Sequence, residues 1–323
     1  MTSVSVALCV YNGARFLGDQ LSSLASQSHL PTELIIGDDA SDDESSEIIQ
    51  EFSKSAPFQV RLLHNDRRLG VRRNFERVIA QCSGGLIALC DQDDVWLPRK
   101  LEVLTSILER DPDVVAAFSD AQVVDDKLRA HGHTMWEHVG FSRWQQEQLA
   151  KARLWEVLFK HPVVTGATLV FRRELVDVCL PIPESWIHDA WIAQVAAAHG
   201  QILAVPEPLI LYRQHSANVI GGRRLSLRAQ LQKGEAIGRI GLTDREYSRF
   251  EQLLGRLSEL EATPRVRMMR ELAVAKLQHL ERRRRLPANR IGRIPTVVSE
   301  VLRGNYRRFA KDWRYVAADL FMS

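Results

Sequence analysis

The chain has 323 residues, 45% of them hydrophobic and 26% charged, which supports a sizeable core and excludes a largely disordered chain. Its formal net charge of +3 hides a split: residues 1–220 hold 20 Lys and Arg against 29 Asp and Glu, and residues 221–323 hold 23 against 11. No apolar run reaches the roughly 18 residues of a membrane span and the first ten residues lack a basic leader, so a cytoplasmic protein is expected.

Val4 to Val10 predicts a strand, Tyr11-Asn12-Gly13 a turn, and Phe16, Leu17, Leu21 and Leu24 the buried face of a helix. Glu33 to Gly37 reads as a second strand, followed by the polar run Asp38 to Asp43, which caps a helix through Ile48 and Ile49. Phe58 to Leu63 repeats the strand pattern, a helix runs from about Val71 to Gln81, and Leu86 to Cys90 is a fourth strand. Pro98 introduces the next helix. Val114 to Ser119 and Ala167 to Phe171 predict further strands, and Ala190 to Ala198 a helix. Leu225 to Leu231, Tyr247 to Leu260 and Val266 to Leu280 then read as helices. Strands alternating with helices predict an α/β fold with a mostly parallel sheet flanked by helices, covering residues 1–221. Residues 222–323 form a basic, mostly helical region.

Ligands of such sheets bind beyond the carboxyl ends of the strands. Tyr11-Asn12, Asp38-Asp39 and the run Asp91-Gln92-Asp93-Asp94 all follow apolar strands directly, so they are expected on one rim. Crowded carboxylates raise each other's pKa unless a cation or hydrogen-bond donors compensate them. With oxygen ligands and no paired cysteines, the preferred ion is Mg²⁺ or Mn²⁺. Cys9, Cys82, Cys90 and Cys179 lie in or beside apolar segments and read as reduced core thiols. Neither GxxxxGK[ST] nor GxGxxG occurs, which removes the usual signatures of ATPases and dehydrogenases.

The segments "VALCVYNGARFLGDQLSSLASQ", "ELIIGDDASDD", "GVRRNFERVIAQCSGGLIALCDQDDVWLPRK", "IHDAW" and "LYRQHSANVIG" together resemble family 2 glycosyltransferases of the GT-A, Rossmann-like fold, close to bacterial rhamnosyltransferase-like members. That resemblance implies an inverting, metal-dependent transfer of a sugar from a nucleotide-diphosphate donor to a hydroxyl acceptor in surface-polysaccharide or O-antigen assembly. By it, Asp39 would hydrogen-bond the donor base, with Tyr11 and Asn12 shaping the pocket and Asp38 in support. Asp91-Gln92-Asp93 matches the DXD pattern, Asp91 near the ribose, with Asp93 and Asp94 both candidate metal ligands. Asp189 is the candidate general base, with His188 where Glu is commoner. Arg73, with Arg72, is a candidate for orienting phosphates. His215 is a candidate diphosphate or metal contact, and Trp96, Trp186 and His188 are candidates for touching sugar or acceptor.

Plainer readings stand beside these: helix-start aspartates for the acidic run, a cap for Asp189, a structural histidine for His215 and core packing for the two tryptophans. The resemblance implies deoxythymidine diphosphate rhamnose as donor, with uridine diphosphate sugars as the alternative. A saccharide acceptor on a lipid carrier would account for the basic tail. There, Arg282 to Arg285 and the later Arg303, Arg307, Arg308 and Lys311, near Tyr306, Phe309 and Trp313, are expected to meet the anionic inner face of a membrane. Oligomerisation through this region stays open. Nucleic acid is not an expected partner; a non-catalytic basic protein binding it is the competing class, marked by salt-sensitive affinity independent of Asp93.

Overall fold

A computed structural model describes residues 2–150, 153–215 and 227–322, with the side chains of 149, 150 and 227–239 excepted. The expected boundary at Gly221 and Gly222, and the expected helix start at Leu225, lie outside the described residues. The chain divides into two compact units, Met1–Ala152 with Val163–Gly222, and Arg153–Pro162 with Arg223–Ser323.

The first unit runs β1 (Val4–Val10), α1 (Ala14–Ala25), β2 (Glu33–Asp38), α2 (Ser45–Ser53), β3 (Gln59–His64), α3 (Val71–Ala80) and β4 (Leu86–Asp91). There follow β5 (Val95–Trp96), α4 (Lys100–Arg110), β6 (Val114–Val124), β7 (Ala130–Thr134), α5 (Met135–Val139) and α6 (Arg143–Ala150). The short α7 (Leu154–Leu158) belongs to the second unit, after which β8 (Leu169–Arg172), α8 (Val176–Cys179), α9 (His188–His199) and β9 (Gln201–Arg213) complete the first.

One sheet has the order β3-β2-β1-β4-β8-β6-β9-β5, with β7 paired to β6. The expected parallel pattern describes β3-β2-β1-β4, and beyond β4 the sheet is mixed, with β8 antiparallel to both β4 and β6. The central strands are buried on both faces: Val4, Val6, Leu8, Leu34, Ile36, Ile87 and Leu89 are each fully covered. That is why they read as continuous apolar runs rather than alternating ones. Parallel register sets Cys9 against Asp91 and Val10 against Asp38, so the carboxyl ends of three strands finish level.

The second unit is helical: α7, α10 (Leu227–Glu259), α11 (Pro264–Arg284), α12 (Arg290–Leu302), α13 (Asn305–Phe309) and α14 (Arg314–Phe321). Its interior is unusually polar. The buried Lys276 ammonium donates to Phe159 O (3.1 Å) and Phe309 O (2.8 Å) and pairs with Glu246. Arg283 pairs with the buried Asp319 at 2.6 Å, and Asp319 also accepts from the Tyr306 hydroxyl at 2.6 Å. Such charges stay inside only because each is matched by a partner. Among the described residues no helix is long and apolar enough to cross a membrane.

Candidate active site

The loops leaving β1, β2 and β4 are knitted to one another. Gln92 makes a reciprocal pair with the Tyr11 backbone, its Oε1 accepting the N–H at 2.7 Å and its Nε2 donating to the C=O at 3.1 Å. A Cβ on Gly13 would stand 2.5 Å from Gln92 Oε1, so a side chain there would have to displace the amide that ties the two loops. Asn12 sits at φ 48°, a left-handed conformation that asparagine tolerates. Its N–H donates to Ser41 Oγ (3.0 Å), and its Oδ1 accepts the Asp42 N–H (3.0 Å). The Tyr11 ring carries the Arg68 guanidinium on its face, 3.8 Å from the centroid.

Asp38 and Asp39 are both buried, and they do different work. Asp38 organises its own loop, accepting from the backbone and hydroxyl of Ser41 and the hydroxyl of Ser46, and faces His64 at 3.0 Å. Asp39 fastens the next loop: Oδ1 accepts from Asn65 Nδ2 (2.8 Å) and Leu69 N–H (2.6 Å), and Oδ2 from Gly70 N–H (2.8 Å). That places the start of α3 and the Arg68 that covers Tyr11.

The acidic run ends β4 and turns inward. Asp94 is fully buried, with Oδ1 accepting the Arg213 N–H at 3.0 Å and Oδ2 meeting no hydrogen-bond partner among the described residues. Burial, with Asp93 and Asp91 nearby, pushes its carboxyl well above the ordinary range. Burial followed by repulsion from Asp93 and Asp189 lifts Asp91 to about 7. Asp93 keeps some exposure, and its Oδ2 lies 2.9 Å from His215 Nε2. Arg213, buried on β9, donates to Asp93 O, Asp126 O and Asp19 Oδ2 at 2.7, 2.7 and 2.8 Å.

A buried lysine comes from the same stretch of sequence. Lys100, in the first turn of α4, is fully buried with Nζ 3.0 Å from the Trp96 ring centroid and 2.6 Å from Ala167 O. Burial pulls the ammonium well down, while Cys90, Asp94 and Asp91 oppose that pull. Burial also pushes the Cys9 and Cys90 thiols well up, so neither is a thiolate nucleophile.

Because β8 runs antiparallel to β4, its beginning lies at the carboxyl end of β4. The turn Gly166–Thr168 there holds Asp189, in the first turn of α9, through Gly166 N–H to Oδ2 at 2.9 Å. The residue capping α9 is Ile187, so Asp189 is not that helix's N-cap. His188 is 4% exposed and stacks on Phe75 at 3.9 Å, and among the described residues neither ring nitrogen has a hydrogen-bond partner. Burial lowers its pKa, which leaves a neutral ring. A Cβ on Gly166 would come within 2.8 Å of that imidazole.

Tyr11, Asn12, Asp38, Asp39, Asp91, Asp93, Asp94, Asp189 and His215 thus gather at the carboxyl ends of β1, β2, β4 and β9. Arg73 is exposed on α3, whereas Arg72 donates to Ile182 O at 2.6 Å. The tryptophans require correction as sugar platforms. Trp96 is 2% exposed with Lys100 on its face, and Trp186 is 6% exposed against Trp191, so neither offers a ring face to a ligand. Sequence reasoning overlooked Lys100, Arg213, Gln92 and Gly166. Lys100 and Gln92 lie inside or just after the acidic run, the one signal that pointed toward them.

A model of the family described as "Glycosyl transferase family 2" matches residues 5–180. An uncharacterized glycosyltransferase of Nostoc sp. is 30% identical over 221 residues, 67% of this chain and 66% of that protein. An uncharacterized protein of Mycobacterium bovis is 28% identical over 67% of this chain and 60% of its own length. The matched region thus spans less than two thirds of these relatives. The dTDP-rhamnosyl transferase RfbG of Shigella flexneri is 24% identical over 76% of this chain and 81% of that protein. Among solved structures, S. aureus TarS 1-349 in complex with UDP-GlcNAc superposes with a TM-score of 0.60 at 12% identity, covering 98% of this chain and 88% of that one. The mannosyltransferase PcManGT of Pyrobaculum calidifontis, in complex with GDP-Man and Mn²⁺, gives 0.56 at 17% identity, covering 98% and 86%. At such identities the likeness is one of fold.

Proposed function

Since the chain belongs to glycosyl transferase family 2, we propose that it moves a sugar from a nucleoside-diphosphate donor to a hydroxyl of a saccharide acceptor, with inversion, in assembly of a bacterial surface polysaccharide. The observation that carries this reading is the convergence of the acidic run, the Tyr11–Asp39 loops and Asp189 at the carboxyl ends of the strands. The nucleotide sugars held by TarS and PcManGT support the donor class. The similarity to RfbG favours deoxythymidine diphosphate rhamnose, with a uridine diphosphate sugar as the alternative. A cytoplasmic site of action goes with such donors.

In this reading Tyr11, Asn12 and the loop fastened by Asp39 flank the base. Among the described residues Asp39 Oδ2 accepts one hydrogen bond, from Gly70 N–H, leaving acceptor capacity for a base N–H. Asp91 faces the ribose, Asp93 and its neighbours would hold Mg²⁺ or Mn²⁺, and exposed Arg73 is on hand for phosphate. The oxygen-only donors suit a divalent cation held by one or two carboxylates together with substrate phosphates; among the described residues no three His, Cys, Asp or Glu side chains are grouped to hold an ion by themselves. When bound, such an ion supplies Lewis-acid stabilisation of the departing diphosphate. Asp93 is the accessible ligand, because Asp94 is buried and anchors β9. His215 holds the Asp93 carboxylate in place.

Asp189, fixed by Gly166 N–H, takes the proton of the acceptor hydroxyl as that oxygen bonds to the anomeric carbon and the bond to the diphosphate oxygen breaks. His188, buried and neutral, packs beside Gly166 and Phe75 behind Asp189. Calorimetric titration with nucleoside diphosphates, with and without Mn²⁺, tests the reading. We expect Mn²⁺-dependent binding of one nucleotide, lost in Asp93→Ala; a chain that binds none of them under either condition rules the assignment out.

A further inference from the structure

Helix α12 wears its polarity inside out. Its inward residues include Arg293 and Glu300, 3% and 1% exposed. Arg293 donates to the carbonyls of Pro287, Ala288, Asp319 and Met322, and Glu300 accepts from His279, Arg282 and Asn305. The outward residues are apolar: Ile291, Ile294, Val298, Val301 and Leu302 are 81, 47, 48, 46 and 82% exposed. At three- and four-residue spacing they share one face, with Pro295 among them. A contiguous apolar stripe of this kind marks an interaction site, unlike scattered single residues.

The rim of the stripe has one sign. Arg290 opens the helix, and Arg307 and Arg308 follow its end, all exposed, with Arg303, also exposed, 3.6 Å from Glu300. The nearby acids are occupied: Glu300 and Asp319 are buried in the networks above, and Asp312 is bound by Arg314 at 2.6 Å. We propose that the outer face of α12 is a membrane-docking surface, lying in the headgroup layer of an anionic bilayer with these arginines against lipid phosphates. A second copy fits less well, since antiparallel packing of two such helices would bring Arg290 of one beside Arg303 of the other.

This moves the membrane contact away from where the charge run suggested. Arg282 pairs with Glu300 (2.9 Å), Arg283 with Asp319 (2.6 Å), Arg284 with Asp244 (2.7 Å) and Arg285 with Glu281 (2.7 Å). Tyr306 and Phe309 are core residues, and only Trp313 of the expected aromatics is largely exposed.

The inference stands on the helical unit alone and does not rest on the donor chemistry. Cosedimentation of the full chain with phosphatidylcholine vesicles, with and without phosphatidylglycerol, tests it. Binding to the anionic vesicles is expected. It should weaken about tenfold or more in Ile291→Glu/Leu302→Glu and in Arg290→Ala/Arg307→Ala/Arg308→Ala, with thermal unfolding and nucleotide titration unchanged. Equal binding by wild type and both variants, equal binding to neutral vesicles, or none to either overturns the proposal. Wild-type dimers that separate on Ile291→Glu/Leu302→Glu, without vesicle binding, would assign the face to a second copy and overturn it as well.

Discussion

Lys100 lies nine residues beyond Asp91 in the sequence, and folding buries its ammonium beside the carboxylates and against Ala167 O. The next residue back in that turn, Gly166, holds Asp189, so the lysine is tied to the proposed base through one short stretch of backbone. Lys100→Met should therefore act by misplacing Asp189: kcat falls about tenfold to a hundredfold while nucleotide affinity changes by less than about threefold. Steady-state kinetics beside calorimetry checks this, and an unchanged kcat would remove Lys100 from the positioning scheme. Asp38, Asp39 and Asp91 to Asp94 were legible because they follow apolar strands directly, whereas Asp189, in the first turn of α9, was reached only through the resemblance. Arg213 was not, because what defines it is contact with Asp19, Asp93, Asp94 and Asp126, brought together from distant parts of the chain.

Among the elements, β1, β2, β3 and β4 were readable to within a residue or two, β1, β2 and β4 from nearly continuous apolar runs and β3, at the sheet edge, from an alternating one. Strand β9 escaped notice because Pro206 and Pro208 interrupt it, and its pairing with β6 slips at that point. Helix α12 carries an apolar stripe at helical spacing, but that stripe faces solvent, and Arg293 and Glu300 join Val297 on the buried face. The helical unit also carries two buried histidines, and burial lowers both His161 and His279 to about 4 from an ordinary 6.5. Between those values the unfolded chain binds protons that the folded chain does not, so stability is present above pH 6.5 and is lost as pH falls toward 4. Each histidine contributes at most roughly 3 kcal/mol. Urea unfolding of the full chain at successive pH values should show this slope, reduced in His161→Gln; a profile that is flat in this window would contradict the neutral buried rings.

For the molecule as a whole, the acidic and basic halves of the sequence correspond to a sheet unit and a helical unit, the segment Arg153–Pro162 apart. The core of the sheet unit closes through apolar strands and helices, without help from the acidic rim. Chelation with EDTA should accordingly abolish sugar transfer, with Mn²⁺ or Mg²⁺ restoring it, and leave the far-ultraviolet circular dichroism unchanged. Transfer that persists in EDTA would detach the carboxylate cluster from metal chemistry. The sequence by itself determined the α/β class, the succession of central strands and the residues at their ends, because hydrophobic periodicity and turn chemistry are local properties of the chain. Only the tertiary structure decided which charges face inward, which tryptophans are core, and which face of α12 meets solvent. Those outcomes depend on burial and on partners distant in sequence, which no local pattern records.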